Sequence, residues 1–218
     1  MSDGWLRHPL LDDFAHGFGT RGCAAPPALV RPKQVHGRDV LRVRADDRGL
    51  LGAADAVVCD VGGTPIGIVT ADCLPVLIAA PSGAVAAAHA GWRGLALGVL
   101  GAAVEALARI APDFAQAAAV IGPHVGARCY EVDEPVVHAL EARFADAVAD
   151  AFTPTRAGHG EIDLARLAAL DLSRAGLAAD RIAILADACT ACDRERFHSY
   201  RRDGPESGRL VHFITART

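Results

Sequence analysis

Lysine is nearly absent from this 218-residue chain: Lys33 is the only one, and arginine supplies the rest of the fixed positive charge. With 22 basic residues against 26 acidic ones the net charge is −4 and the isoelectric point lies near 6.1. No basic cluster is interleaved with aromatics, so the electrostatic footprint of a nucleic-acid partner is missing. Missing too is any apolar run long enough to span a membrane. The opening residues, MSDGWLRHPLLDDF, carry acidic groups and lack the sustained apolar stretch of a secretory signal, which makes the cytoplasm the expected location. No internal repeat, low-complexity tract or linker divides the chain. One domain over residues 1–218 is therefore expected, and at 51% hydrophobic content it has enough apolar material for a sizeable core.

Several common catalytic signatures are also lacking. There is no P-loop, no G-x-S-x-G and no H-E-x-x-H. Gly17, Gly19 and Gly22 satisfy G-x-G-x-x-G, but CAAPPALVRP follows, and its prolines prevent the helix whose N-terminus would receive a pyrophosphate. The six cysteines do not read as a disulfide framework, since a chain this long and apolar needs no staples. Any functional thiol is expected to be a ligand or a nucleophile. Cys189 and Cys192 form one C-x-x-C without a second pair to complete a zinc site.

What the chain does contain is a series of short, continuous apolar runs: DVLRV from Asp39, DAVVC from Asp55, IGIVT from Ile66, PVLIAA from Pro75, AVAAAH from Ala84, AAAVI from Ala117, RIAIL from Arg181 and RLVHFI from Arg209. Such runs suit strands covered on both faces. Three segments have helical spacing, Leu95 to Ala111, Glu134 to Ala151 and Ile162 to Ala175. In the second, Val136, Val137, Leu140, Phe144 and Val148 form one apolar face. Irregular alternation of strands and helices points to a mixed α/β or α+β domain with central sheets flanked by helices.

Three phrases carry candidate chemistry: K-Q-V-H-G with Gln34 and His36, T-A-D-C-L-P with Asp72 and Cys73, and H-A-G-W-R-G with His89 and Arg93. Two lie at an edge of a predicted strand and the third precedes one, so all three sit where a sheet can present side chains to a common crevice. Two imidazoles and a thiolate suit zinc, or copper, and three protein ligands leave a fourth position for water or substrate. Taken singly, each of these residues also fits a structural role, as a bonded histidine or a small core thiol. Arg93 beside a helix start suits an anion such as phosphate. In SYRRDG one arginine is expected to face the site while the other pairs with Asp203. His124, in IGPHVG, follows a strand and is a further pocket candidate.

Taken in order, KQVHG, TADCLPVLI, HAGWRG, IGPHVGARCYEV and SYRRDG resemble the YfiH family, also called the multicopper polyphenol oxidase or laccase-domain family. The resemblance runs from about Val35 to the C-terminus. It implies a single α/β domain with a mononuclear zinc site of two histidines and one cysteine, which residue by residue are His36, Cys73 and His89. It also implies phosphorolysis of adenosine, inosine and 5′-methylthioadenosine, together with adenosine deamination. Laccase and peptidoglycan-precursor editing are other labels attached to the family. Laccase chemistry is the least supported, because nine histidines in these contexts do not supply a type 1 site and a trinuclear copper cluster. One departure concerns residues 1–34: only CAAPPALVRP separates Thr20-Arg21-Gly22 from Lys33, where the family carries a longer pocket-walling segment.

The leading expectation is thus a zinc-dependent purine nucleoside enzyme, monomeric or homodimeric, whose partners are a nucleoside and phosphate. Its site would draw on His36, Cys73, His89 and Asp72 for catalysis, with Asp72 as proton shuttle. Arg93, Gln34, His124 and Arg201 would hold substrate and phosphate. Two alternatives use the same residues differently: a cysteine hydrolase in which His89 activates Cys73 against a cell-wall precursor, and a metal-bound protein without catalytic activity.

Overall fold

A computed structural model describes residues 4–218. Its strands, in chain order, are β1 (His16–Phe18), β2 (Arg31–Lys33), β3 (Val40–Arg42), β4 (Leu50–Ala53), β5 (Ala56–Cys59), β6 (Pro65–Thr70), β7 (Leu74–Ala79), β8 (Val85–Ala90), β9 (Ala118–Ile121), β10 (Glu131–Asp133), β11 (Phe152–Arg156), β12 (His159–Ile162), β13 (Ile182–Ile184) and β14 (Leu210–Thr215). The helices are α1 (Trp92–Leu97), α2 (Val99–Ala108), α3 (Glu134–Phe144), α4 (Leu164–Arg174) and the single turn α5 (Tyr200–Asp203).

Six strands form the central sheet in the order β13-β9-β7-β8-β5-β3, parallel at its two edges and antiparallel between. Its continuous apolar runs are explained by what covers it. Alternate residues along a strand point to opposite faces, and here both faces are dry. Val58, Val76, Ile78, Ala86 and Ala88 pack with α2 and α4 in one core. Val57, Cys59, Leu77, Val85 and Ala87 pack with Phe18, Ile66, Ile68 and Ile214 in a second core, beneath the antiparallel sheet β1-β14-β6. The architecture is therefore three layers: helices, six-stranded sheet and three-stranded sheet. A hairpin-like sheet β10-β12-β11 and the parallel pair β2-β4 complete it.

All eight strands read from the apolar runs are present. The helical segment expected from Leu95 to Ala111 starts earlier, at Trp92, and breaks at Gly98. Gly98 has φ +86, a left-handed conformation that glycine adopts without strain, and this ends one helix and starts the next. The segment expected to be helical to Ala151 is α-helical only to Phe144 and then tightens into a 3-10 stretch, Ala145–Ala151, that turns Val148 into the core. After Gly22 the chain makes turns and the short strand β2, not a helix, in keeping with the prolines.

Candidate metal centre and active site

The site is built at one end of the two central strands. β7 and β8 are antiparallel neighbours in which Leu74 pairs with Ala90 and Pro75 with His89. The thiol that precedes β7 and the imidazole near the end of β8 therefore emerge side by side. His36 arrives from the loop between β2 and β3. Ligand atoms of His36, Cys73 and His89 all lie within 4.8 Å of one another, and the two imidazoles meet edge to face at 4.8 Å between ring centres.

Asp55, immediately before β5 and fully buried, organises this cluster. Its Oδ1 accepts the Nδ1 hydrogen of His89 at 2.8 Å and the backbone N–H of His36 at 2.9 Å. Its Oδ2 accepts from the N–H groups of Gly37 at 2.6 Å and Val35 at 3.1 Å. Three successive N–H groups converging on one carboxylate form an anion-holding nest. They also account for His36 at φ +59, a left-handed conformation that costs a β-carbon-bearing residue about 1–3 kcal/mol and persists only where surrounding bonds over-determine it. Burial opposes ionisation of Asp55, but the His89 hydrogen bond and then the N–H groups of Gly37 and Val35 outweigh it, holding the carboxyl below its ordinary range. Burial likewise opposes protonation of His89. Asp55 and then Cys73 overcome that and raise its pKa to about 9. The exposed-side imidazole, His36, is pushed down by burial and by the neighbouring His89.

Gly91 makes the space in front of the cluster. A Cβ at this position would stand 2.9 Å from Nδ1 of His36 and 3.0 Å from Sγ of Cys73. The glycine then serves as N-cap of α1, whose first turn carries Trp92 and Arg93. The Arg93 guanidinium stacks 4.2 Å from the centre of the Trp92 ring. These contacts explain AHAGWRG: an imidazole that leaves the sheet, a glycine that clears the cluster, and an aromatic platform carrying a cation.

A cavity of about 950 Å³ opens over the cluster. Arg93, Gln34, Asp72 and Arg201 line it together with the three central residues. Gln34 is tied down by both ends of its amide, donating to Val69 O at 2.7 Å and accepting from Val69 N at 2.8 Å, so it caps the free edge of β6 as one residue of a neighbouring strand would. Asp72, at φ +88, accepts the Thr190 hydroxyl on Oδ1 at 2.5 Å and the Arg201 N–H on Oδ2 at 2.6 Å. Arg201 reaches over the Tyr130 ring at 4.8 Å and donates to Glu131 O. Arg202 instead pairs with Asp203 at 2.7 Å, as the division of labour in SYRRDG anticipates. His124 departs from expectation. It does not line this cavity; its Nδ1 bonds Gly122 O at 2.8 Å, and its ring borders a separate pocket beside Cys189. The bridge between His124 and Cys189 turns it that way.

Sequence reasoning misses Asp55 altogether, because an acid just before an apolar run resembles an ordinary strand boundary. It also misses Tyr130, Arg31 and Arg209, which line the cavity from β10's approach, β2 and the entry to β14. Lys33, noted only as the single lysine, is on the cavity wall. No helix among the described residues is long and apolar enough to cross a membrane.

A three-layer α/β domain with a His–Cys–His cluster at the end of its central strands defines the class. Residues 19–217 match the family described as multi-copper polyphenol oxidoreductase laccase, and the chain belongs to that family. A purine nucleoside phosphorylase of Xylella fastidiosa (strain 9a5c) is 46% identical over 184 residues, 82% of this chain and 68% of that protein. Purine nucleoside phosphorylase YfiH of Escherichia coli (strain K12) is 40% identical over 191 residues, covering 87% and 74%. The crystal structure of YlmD from Geobacillus stearothermophilus has the same fold, with a TM-score of 0.90 at 29% identity over 100% of this chain and 98% of that one.

Proposed function

We propose that this protein is a purine nucleoside phosphorylase and that His36, Cys73 and His89 hold a zinc ion at the floor of its active site. Charge carries the reading. Arg31, Lys33, Arg93, Arg201 and Arg209 line the cavity, while its one acidic lining residue, Asp72, has a hydrogen bond on each oxygen. A concave site with that imbalance attracts and orients an anion, and inorganic phosphate is the anion that phosphorolysis needs. Relatives at 40–46% identity bearing the phosphorylase name support the same conclusion.

The donor set fits zinc: two imidazoles and a thiolate are borderline-soft ligands, Gly91 leaves room, and the Asp55 bond fixes the His89 tautomer so that Nε2 is the free donor. When bound, zinc supplies Lewis-acid polarisation and water activation, which suits adenosine deamination as a second activity. Phosphorolysis falls to the chain's own groups, whose placement depends on the intact His36, Cys73 and His89 cluster at the cavity floor. A phosphate oxygen attacks C1′ while the N9–C1′ bond breaks and the purine leaves with its electron pair. Arg93 and Arg201 hold the phosphate against C1′ and offset its charge. Tyr200, exposed on the cavity wall, offers a face for the base. Burial pushes the Tyr130 phenol up to about 12, so it keeps its proton as a donor at the cavity wall. Asp72, with both oxygens engaged, positions Cys73 and Arg201 and is not the proton shuttle in this reading.

Chromatography of adenosine, inosine and 5′-methylthioadenosine incubations, with and without phosphate, tests the assignment. Free base and a ribose 1-phosphate, formed only with phosphate and lost in Cys73→Ala, are expected. Inosine from adenosine without phosphate identifies deamination. If no nucleoside turns over faster than it does with Cys73→Ala protein, the assignment is wrong.

One observation favours a second reading. Cys73, His89 and Asp55 stand in the order nucleophile, base and orienting carboxylate. A cysteine hydrolase acting on a cell-wall precursor would need no zinc and would lose activity when iodoacetamide alkylates Cys73 in metal-free protein. Zinc-dependent nucleoside turnover excludes it.

A further inference from the structure

A second group of thiols lies outside the cavity just described. Cys189 and Cys192 occupy the loop between β13 and α5, and the fold brings Cys129 to them from the 3-10 turn Ala127–Cys129, 60 and 63 positions away in the chain. Their sulfur atoms all lie within 4.8 Å of one another, with Cys129 and Cys192 Sγ 3.0 Å apart. Sulfurs around a four-coordinate zinc with bonds of about 2.3 Å stand roughly 3.8 Å apart, so this cluster needs only small side-chain adjustments to reach that spacing.

We propose that Cys129, Cys189 and Cys192 form a second metal site, taking zinc(II) through three thiolates with the fourth position open to the adjoining pocket.

Three features beyond proximity support this. The backbone supplies a donor to one of the thiols: Gly126 N–H donates to Cys189 Sγ at 3.2 Å. A Cβ at Gly126 would stand 3.3 Å from Cys189 Sγ, so the backbone and the thiol approach closely here. The loop is pre-organised, through Thr190 N to His124 O, Asp193 N to Cys189 O, and the Arg202 guanidinium on the carbonyls of Thr190 and Ala191. An entry path exists as well, a pocket of about 460 Å³ bordered by Cys189, Cys192, His124 and Asp187.

The site would also be a staple. Thr190, between the two loop thiols, is fully buried and donates to Asp72, the neighbour of Cys73. Metal bound to the three thiols would fix the wall of the cavity from behind. Soft thiolate ligands select zinc or copper(I) over hard cations, and binding releases the thiol protons.

The test is a cobalt(II) titration of full-length, reduced, metal-free protein under argon, followed by thiolate-to-cobalt charge-transfer absorption, with zinc stoichiometry measured in parallel. The proposal expects two equivalents of metal per chain in the unaltered protein and one in Cys73→Ala, which keeps strong thiolate absorption. Adding Cys192→Ser, at an exposed position, should remove that absorption and the second equivalent. Zinc should raise Tm in Cys73→Ala and leave Tm unchanged in the double variant, which also shows that the double variant folds. One equivalent in all, abolished by Cys73→Ala, overturns the proposal. So does a Cys129–Cys192 disulfide that persists under reducing conditions.

Discussion

His89 and Asp55 are joined by a 2.8 Å hydrogen bond from Nδ1 to Oδ1, and that oxygen also accepts the backbone N–H of His36. One carboxylate oxygen therefore sets the ring of one cluster histidine and the backbone of the other. Asp55→Asn keeps the size of the side chain but replaces one acceptor oxygen by an NH₂ group, which faces N–H donors. Orienting carboxylates of this kind typically contribute 10–100-fold to metal affinity. Zinc affinity, measured by competition with a chromogenic chelator, should fall by about that factor, and the fold should lose about 1–3 kcal/mol for the N–H groups left unpaired. Unchanged zinc affinity would show that Asp55 has no part in the metal centre.

Gly91→Ala separates space from backbone conformation. Gly91 has φ −71, which alanine adopts freely, so no strain is introduced in the chain itself. The added methyl would sit 2.9 Å from His36 Nδ1 and 3.0 Å from Cys73 Sγ, where a bound ion and its ligands need to be. Stability in the absence of metal should change by less than about 1 kcal/mol. Zinc binding and nucleoside turnover should fall by an order of magnitude or more. Calorimetric zinc titration of both proteins decides it, and equal affinities would refute the crowding argument.

Much of this molecule was legible in its sequence because the central sheet is dry on both faces. Runs such as PVLIAA and AVAAAH have to be strands when helices cover one side and a second sheet the other. His36, Cys73 and His89 were legible because each follows or precedes such a run. Short edge strands such as β2, β4 and β10 were not, since three or four partly exposed residues carry little pattern. Asp55 and Cys129 were hidden for a different reason. Their roles arise from tertiary pairing, with Asp55 meeting residues 35–37 and 89, and Cys129 meeting a loop 60 positions on. His124 misled because following a strand does not say to which side of the sheet end a ring turns.

The cationic cavity makes a prediction about phosphate. Arg93 and Arg201 contact the cavity with exposed guanidinium groups, and a hydrogen bond to a charged partner contributes about 1.5–3 kcal/mol. Arg93→Ala and Arg201→Ala should each raise KM for phosphate by roughly 10–100-fold, with a smaller change in KM for the nucleoside. Because exposed charges are screened, KM for phosphate should also climb between about 0.05 and 0.5 M salt. Initial rates over a phosphate series at two ionic strengths would show both effects. A salt-independent KM with no response to either variant would remove phosphate from this cavity.

Acid stability should depend on His212, in the middle of β14. The imidazole is fully buried, its Nε2 is 2.8 Å from Thr70 Oγ1, and its Nδ1 has no partner among the described residues. Burial, followed by the nearby His89, pushes its pKa down to about 3. In the unfolded chain the ordinary value is about 6.5, so between these limits the unfolded state binds the extra proton. Stability is therefore complete above pH 6.5 and falls as the pH drops toward 3, by up to about 1.4 kcal/mol per unit. His212→Gln removes this titration while keeping a side chain able to bond Thr70. Metal-free samples of both proteins, unfolded by urea at pH 7.5, 6.0 and 5.0, isolate the effect, since every other acid is common to the pair. The variant should start less stable or equal at pH 7.5 and lose less on acidification. Parallel losses in the two proteins would mean that folding leaves the His212 pKa near its ordinary value, the imidazole taking up its proton over the same pH range in the folded and the unfolded chain.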